Sequence, residues 1–481
     1  MSRVTENTLK EVFGFDAFRP GQEAAIEALK NDKNVFLVKP TGGGKSLIYQ
    51  FLAAEGHRVI VLSPLIALME DQVFQSKGYK IASACLHSQM SSEKRKKNLR
   101  NWGEGKLNLL FVTPERFFKP EFRDNVQKMK PDFFVVDEAH CASQWGHDFR
   151  PDYSKVGEIR SFLGNPPTFC CTATATPRTR DEVLRVTGLD KEETEVLVNS
   201  VLRGNLEHEH KETLDFKDKL EEFMRLDLGK GPAIIYFSLI KTLESVAEHL
   251  DSLGLNYVKY HSKIPARFRH KNQQSFIDGE VDLMLATPAF GLGVDKENIR
   301  SLVHFELPGS IEAYVQEFGR AGRDGKPAEC ILLYSQEDIA LQMDFIKWGH
   351  PNADTLRWVH KQIAETKELG LPENQVFDLK KKLNFYNTYD FRLESSINIL
   401  LRWSCLEKRG TKYFVGPEPL KSVPDIETDL SEQLIQIQQK KLLDLIQLVR
   451  KEDQDSFDLG IQTYFGEIAF EQDTVEVAEE K

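Results

Sequence analysis

The sequence predicts an α/β protein of two tandem parallel-sheet lobes followed by a helix-rich C-terminal region. Three observations carry this. Short apolar runs alternate with amphipathic stretches from about residue 34; the alternation pauses near residue 200 and restarts near 233; beyond about residue 345 helical periodicity replaces it. A chain of 481 residues also exceeds what one hydrophobic core usually holds.

In chain order, VFLV (35–38), VIVLS (59–63), NLLFVTP (108–114), FFVVDEAH (133–140) and TFCCTATA (168–175) read as buried strands. Their near-continuous apolar character suits a parallel sheet covered on both faces. Segments between them, such as SLIYQFLAAEG and LIALMEDQVFQSKG, have helical period and length. The polar stretch 190–212 reads as a linker. Strands resume with AIIYFS (233–238), NYVKYH (256–261), VDLMLATP (281–288), SLVHFELP (301–308) and ECILLYS (329–335). Helices are expected near 354–369, 374–384 and 391–404, before the strand–turn–strand pattern LEKRGTKYFVG. Three helices and a hairpin outline a winged helix; a plain helical bundle fits the same pattern. The expected division is a first lobe over 1–200, a second over 201–345, a helical or winged-helix-like domain over 346–420, and a helix with an acidic tail over 421–481.

Composition narrows the class. Apolar residues make up 41% and charged residues 28%, as in soluble globular proteins. No apolar run approaches the roughly 20 residues that span a bilayer, and MSRVTENTLKEVF does not read as a signal peptide. Neither a membrane partner nor secretion is expected. Six cysteines at 85, 141, 170, 171, 330 and 405 form no CxxC pair, which argues for reduced thiols and against zinc. The net charge of −11 is concentrated at the end, where residues 452–481 carry ten acids against one base. The body is near neutral, with basic clusters at Lys94–Lys97 and around Arg267, Arg269 and Lys271. A solvated face or a polyanion contact explains such clusters equally well. The acidic end reads as a solubility tail, a DNA mimic or a protein-binding segment.

The chemistry is carried by three motifs. Thr41-Gly42-Gly43-Gly44-Lys45-Ser46 lies between a strand and a helix. There, backbone N–H groups and a helix N-terminus wrap phosphate oxygens, Lys45 reaches the β and γ phosphates, and Ser46 binds Mg²⁺. The generic loop has a glycine where this chain has Lys39. Asp137-Glu138-Ala139-His140 closes an apolar strand, placing Asp137 for the Mg²⁺ shell and Glu138 for the attacking water. Gln316–Gly325 carries Arg320 and Arg323, expected on one face of a helix as arginine fingers. ATP hydrolysis with Mg²⁺ follows from the three together.

Taken in order over about residues 8–340, these residues resemble the superfamily 2 helicases, and within them the RecQ DNA helicases, whose motor is a pair of RecA-like lobes. Phe18-Arg19-Pro20-Gly21-Gln22 is similar to the family's adenine-reading element, which implies that Gln22 reads the adenine edge while Phe15 and Arg19 enclose the ring, with Gln316 also at the nucleotide. The segment Cys141–Pro151 resembles the family's aromatic-rich loop. Ser63-Pro64-Leu65, Thr113-Pro114-Glu115-Arg116, Thr172–Ala175 and Ala286-Thr287 through Val294 resemble its strand-contacting and coupling motifs. The resemblance implies DNA contacts from Ser63, Thr113, Pro114, Glu115, Arg116, Trp145, His147, Phe149, Arg150 and Thr287. Bases stacking on Trp145 or Phe149 would each gain about 1–3 kcal/mol, whatever the sequence.

The family resemblance implies 3′→5′ unwinding of DNA. The expected setting is repair, recombination or replication, as a monomer, in the cytoplasm at the nucleoid if bacterial or in the nucleus if eukaryotic. The alternative is an RNA helicase, or a DNA-annealing or translocating ATPase of weak unwinding. The chain departs from the pattern where the family usually carries four zinc-binding cysteines. Beyond Cys330 there is Cys405 alone, so no thiolate zinc site is expected. Tyr464-Phe465-Gly466-Glu467 nevertheless resembles the stretch that introduces those cysteines. Lys380–Lys382, with Tyr386, Tyr389 and Arg392, is a candidate substitute duplex contact, or an ordinary solvated helix face.

Overall fold

The computed structural model describes residues 8–143, 150–290, 296–349, 351–382, 392–426, 432–451 and 453–467. The first sheet contains β1 (Asn34–Val38), β2 (Val59–Leu62), β3 (Ser83–Leu86), β4 (Leu109–Val112), β5 (Phe133–Val136), β6 (Thr168–Thr172) and β7 (Thr194–Val198). All seven are parallel, in the order β3-β4-β2-β5-β6-β1-β7. The second sheet holds β8 (Leu206–Glu212), β9 (Ala233–Tyr236), β10 (Val258–Tyr260), β11 (Leu283–Ala286), β12 (Ser301–His304) and β13 (Ala328–Tyr334). These are also parallel, ordered β10-β11-β9-β12-β13-β8.

β1, β2, β4 and β5 are buried along their whole length. With helices on both faces, alternate residues of each strand feed two separate cores, one around Phe36, Ile60 and Phe134 and the other around Val35, Val61 and Val135. The fold is therefore the expected pair of parallel-sheet lobes.

The linker is much shorter than the polar stretch 190–212 suggests. Residues 194–198 add an edge strand to the first sheet and residues 206–212 an edge strand to the second. Residues 199–205 remain between them. An edge strand tolerates polar side chains because half of it faces water. In β8 the exposed Glu207 and Glu209 alternate with Leu206, His208 and His210, which face inward.

The third unit begins with a helix at Ala353–Ala364, then β14 (Leu371–Pro372), helices at Glu373–Lys382 and Arg392–Arg402, β15 (Leu406–Arg409) and β16 (Lys412–Val415). The strands form a small antiparallel sheet, β14-β16-β15. Leu356, Val359, Ile397, Leu400 and Leu406 fill its core.

The last two helices, Glu432–Val449 and Gln454–Tyr464, fall in the stretch 421–481 that the sequence sets apart as a helix with an acidic tail. Instead they complete the second lobe. Leu442, Leu445, Leu448, Phe457, Ile461 and Phe465 join Ile234, Leu302, Tyr314 and Leu332 in one core. A nearly buried ion pair, Lys441 to Glu312 at 2.7 Å, fastens the longer helix to the helix Ile311–Phe318. The acidic residues beyond 467 lie outside the described residues. Among the described residues no helix is long and apolar enough to cross a membrane.

Candidate functional site

In parallel sheets, ligand sites form at the C-terminal strand ends, where loops lead into helix N-termini. β1 ends at Val38, and Lys39 N–H still donates to Thr172 O of β6 at 3.0 Å. The chain then turns through Pro40–Gly44 into the helix Lys45–Ala54. Gly42 and Gly44 have φ of +77° and +81°, the left-handed region in which glycine avoids the penalty of a Cβ. Lys45 Nζ donates to the loop carbonyls of Lys39 and Pro40 at 3.0 and 3.4 Å, so the loop is closed on its own lysine.

The segment Phe18–Gln22 is bolted to this loop. Gln22 is buried; its Oε1 accepts from Arg19 N at 2.7 Å and its Nε2 donates to Gly44 O at 2.8 Å. Arg19 Nη1 donates to Gly42 O at 2.6 Å. Lys39, in place of the usual glycine, points its ammonium beneath the loop toward Pro20 O. Burial, Arg19 and Lys45 together push its pKa down to about 8.

β5 delivers Asp137 and Glu138 to the same end of the sheet. Asp137 is buried, and the lost hydration, with the Glu138 charge beside it, raises its pKa to about 6 despite Lys45. Cys171 Sγ and Tyr153 Oη hold its carboxylate and its backbone carbonyl at 3.4 and 3.2 Å. Glu138 sits at φ +47°, an uncommon conformation for a residue with a Cβ. His140 Nδ1 lies 3.3 Å from Glu138 Oε2 and 2.7 Å from Thr172 Oγ1, joining the acidic box to the Thr172–Ala175 segment.

A cleft of about 530 Å³ brings these groups together across the lobes. Its first-lobe wall includes Phe15, Arg19, Gln22, Thr41, Gly42, Gly44, Lys45, Ser46, Asp137 and Glu138; Gln316, Arg320 and Arg323 face them from the second lobe. Gly43 lies behind this wall, against the Lys39 side chain. Sequence reasoning missed Tyr79, Gln72 and Glu297, which also line the cleft. No motif marks them; only the folded chain brings them there. One expectation is corrected. The helix ends at Phe318, so Arg320 and Arg323 project from the turns after it rather than from one helical face. Gln316, still on the helix, donates to Thr174 Oγ1 across the lobes at 3.4 Å.

The residues that the resemblance offers as strand contacts occupy neighbouring strand ends. Ser63 follows β2, Thr113–Arg116 follow β4 and Thr287 follows β11. Ser63, Thr113, Pro114 and Thr287 are buried, and Thr113 Oγ1 donates to Glu115 Oε1 at 2.6 Å. Glu115, Arg116 and Arg150 are partly exposed. Arg150 Nη1 donates to Pro64 O at 2.9 Å, tying the segment after the acidic box to the β2 loop. Trp145, His147 and Phe149 lie outside the described residues, as do Tyr386 and Tyr389. All six cysteines are buried free thiols, with Cys405 inside the third unit.

Comparison with known proteins agrees with this geometry. The DEAD/DEAH box helicase family matches residues 19–183, and the helicase conserved C-terminal domain matches residues 217–325. A probable ATP-dependent DNA helicase RecS of Bacillus subtilis (strain 168) is 38% identical over 369 residues, covering 76% of this chain and 73% of that protein. ATP-dependent DNA helicase RecQ of Haemophilus influenzae is 38% identical over 69% of this chain and 54% of its own length. ATP-dependent DNA helicase Q5 of Rattus norvegicus is 40% identical over 70% of this chain, but the match spans 36% of that longer protein. In fold, the chain is similar to a DUF1998 helicase MrfA bound to DNA, with a TM-score of 0.58 at 16% identity over 90% of this chain and 64% of that one. Dbp5 of S. cerevisiae bound to RNA and ADP BeF3 aligns over 72% of this chain and 90% of its own, with a TM-score of 0.55 and 17% identity. With both lobes matched in order and one relative covered over most of its length, this chain belongs to the RecQ family of superfamily 2 helicases.

Proposed function

We propose that this protein is an ATP-dependent DNA helicase that unwinds duplexes in the 3′→5′ direction with Mg²⁺ as cofactor. One observation carries the reading: the interlobe cleft combines Lys45, Ser46, Asp137 and Glu138 of one lobe with Gln316, Arg320 and Arg323 of the other. The loop amides and Lys45 grip the phosphates. Ser46 and Asp137 would hold Mg²⁺, which would neutralise phosphate charge; the residues fit, because Asp137 is a buried carboxylate beside the loop lysine. Glu138 orients the attacking water, and Arg320 and Arg323 stabilise the charge that develops on the transferred phosphoryl group. Because the cleft needs both lobes, nucleotide binding draws them together and hydrolysis releases them.

The track for one DNA strand is the row of strand-end loops at Ser63, Thr113–Arg116, Arg150 and Thr287, and the family resemblance adds base contacts from Trp145, His147 and Phe149. The buried members of this row contribute through backbone groups, the exposed arginines through charge. The third unit acts as a winged helix at the duplex. Its order of helix, short strand, two helices and hairpin supports this, and the hairpin carries Lys408, Arg409 and Lys412. Lys408 is among the charges that act on Asp152 of the first lobe, which supports a hairpin near the track. The protein works without zinc, as a monomer, in DNA repair, recombination or replication at the nucleoid or in the nucleus.

Unwinding of 3′-tailed and 5′-tailed duplexes of DNA and of RNA tests the reading. The expected result is ATP-dependent opening of the 3′-tailed DNA alone. Opening of RNA only, or of no substrate, would overturn it.

A further inference from the structure

The turn that carries Arg320 and Arg323 follows a helix C-terminus, where backbone carbonyls lack intrahelical partners. Beyond them, three carbonyls of the turn itself are taken by one side chain from the linker. Arg203 Nη2 donates to Gly319 O at 2.9 Å and to Ala321 O at 2.7 Å, and its Nη1 donates to Gly322 O at 3.2 Å. Asn205 adds two more bonds, from Nδ2 to Gly322 O at 2.9 Å and to Lys326 O at 2.8 Å. The approach is close enough to require glycine. At residue 322 φ is +55°, and a Cβ would stand 2.5 Å from Asn205 Nδ2. A guanidinium suits this place because its planar fork reaches several acceptors at once and its charge opposes the negative end of the helix dipole.

The linker that supplies Arg203 is itself fixed. Glu467 Oε1 accepts from Val201 N at 2.8 Å, and Phe465 O accepts from Arg180 Nη1 of the first lobe at 3.0 Å. Gly466 between them packs on Pro177. The Tyr464–Glu467 stretch therefore ties the first lobe to the linker two residues before Arg203. On the other side of the turn, Arg323 packs over the phosphate loop at Gly42.

We propose that Arg203 is a positioning residue for hydrolysis: it mounts the turn bearing Arg320 and Arg323 on the interlobe linker, so that the linker's placement sets the arginines against the phosphates. The inference rests on the finger role proposed above for those arginines. A group that acts only through the fingers has nothing left to contribute once they are gone.

The test is a double-mutant cycle on DNA-stimulated ATPase in the full chain. Arg203→Lys keeps charge and stem but loses the fork; Arg203→Gln removes the charge. Either should lower kcat by about 10–100-fold with KM for ATP changed less than threefold, while the chain stays folded at the assay temperature and nucleotide-free binding of single-stranded DNA holds. In an Arg320→Ala, Arg323→Ala background the Arg203 substitution should add no further loss. An equal loss in both backgrounds, or a wild-type kcat for Arg203→Lys, overturns the proposal while the finger role stands. If Arg320→Ala, Arg323→Ala itself turns over at the parental rate, the finger role fails and the mount fails with it. Should Arg203→Gln not fold, Arg203→Lys and Asn205→Ala carry the same comparison.

Discussion

Arg323 of the second lobe lies directly over Gly42 of the first: a Cβ on Gly42 would stand 3.1 Å from Arg323 Cδ and 3.2 Å from its Nε. Gly42 thus meets two demands, a left-handed backbone at φ +77° and room for the opposing arginine. Gly42→Ala should cost about 1–2 kcal/mol of backbone strain and displace the arginine. Steady-state ATPase at saturating single-stranded DNA should fall at least about tenfold. A parental kcat would show that this approach is not needed for turnover.

Lys45 is held by the carbonyls of Lys39 and Pro40, so Lys45→Ala removes the proposed phosphate ligand without opening the core. DNA-stimulated ATPase should fall by about 100–1000-fold, the scale for removing a preorganised charge partner. Filter binding of single-stranded DNA without nucleotide should be unchanged. Persistence of ATPase at the parental rate would remove the phosphate loop from the mechanism.

The helix Glu432–Val449 tests which unit the C-terminus belongs to. Leu445 is fully buried in the second lobe's core, and Leu445→Ala should cost about 2–5 kcal/mol. Urea unfolding followed by a probe in the sheet of that lobe should show the lower midpoint. A sheet transition unmoved by the substitution would mean that the helix folds independently.

Acid should loosen the same lobe. Burial holds His208 and His210 down to about 3 and 4, whereas an unfolded histidine titrates near 6.5. Between these values the unfolded chain takes up protons that the folded chain refuses. Their contribution is therefore complete above pH 6.5 and is lost as pH falls toward 4, by up to about 1.4 kcal/mol per pH unit for each ring. His210 Nε2 is 3.1 Å from Tyr314 Oη, a bond that His210→Gln can keep. The thermal midpoint of the parent should drop between pH 6.5 and 4.5, and that of His210→Gln should drop less. Equal slopes would place the acid sensitivity elsewhere.

The two lobes were legible because parallel strands buried on both faces leave apolar runs such as FFVV and VIVL, which few other structures produce. β8 was hidden for the opposite reason. LEHEHKE has a strand's alternation, but its inward positions are histidines, which join Tyr314 and Phe457 in an aromatic cluster and read as polar in sequence. The site was legible residue by residue where a motif fixes the backbone, as at Thr41–Ser46 and Asp137-Glu138. It was illegible where tertiary packing decides. Nothing in RAGRDG announces that the helix has already ended at Phe318, and no local pattern marks Arg203 as the donor to that turn. The C-terminal helices misled for a similar reason: their apolar face shows that they pack, but not on what.

The short linker also bounds what the motor can do. Seven residues, 199–205, join the edge strands of the two sheets, and fully extended they would reach about 25 Å at most. Val201 and Arg203 are already fastened, to the C-terminal turn and to the arginine turn, so little slack remains. A leash this short admits rotation of one lobe on the other but little translation. For the motor proposed above, the advance along a strand per ATP is then set by the geometry of a hinge, and travel over long distances must come from repetition rather than reach.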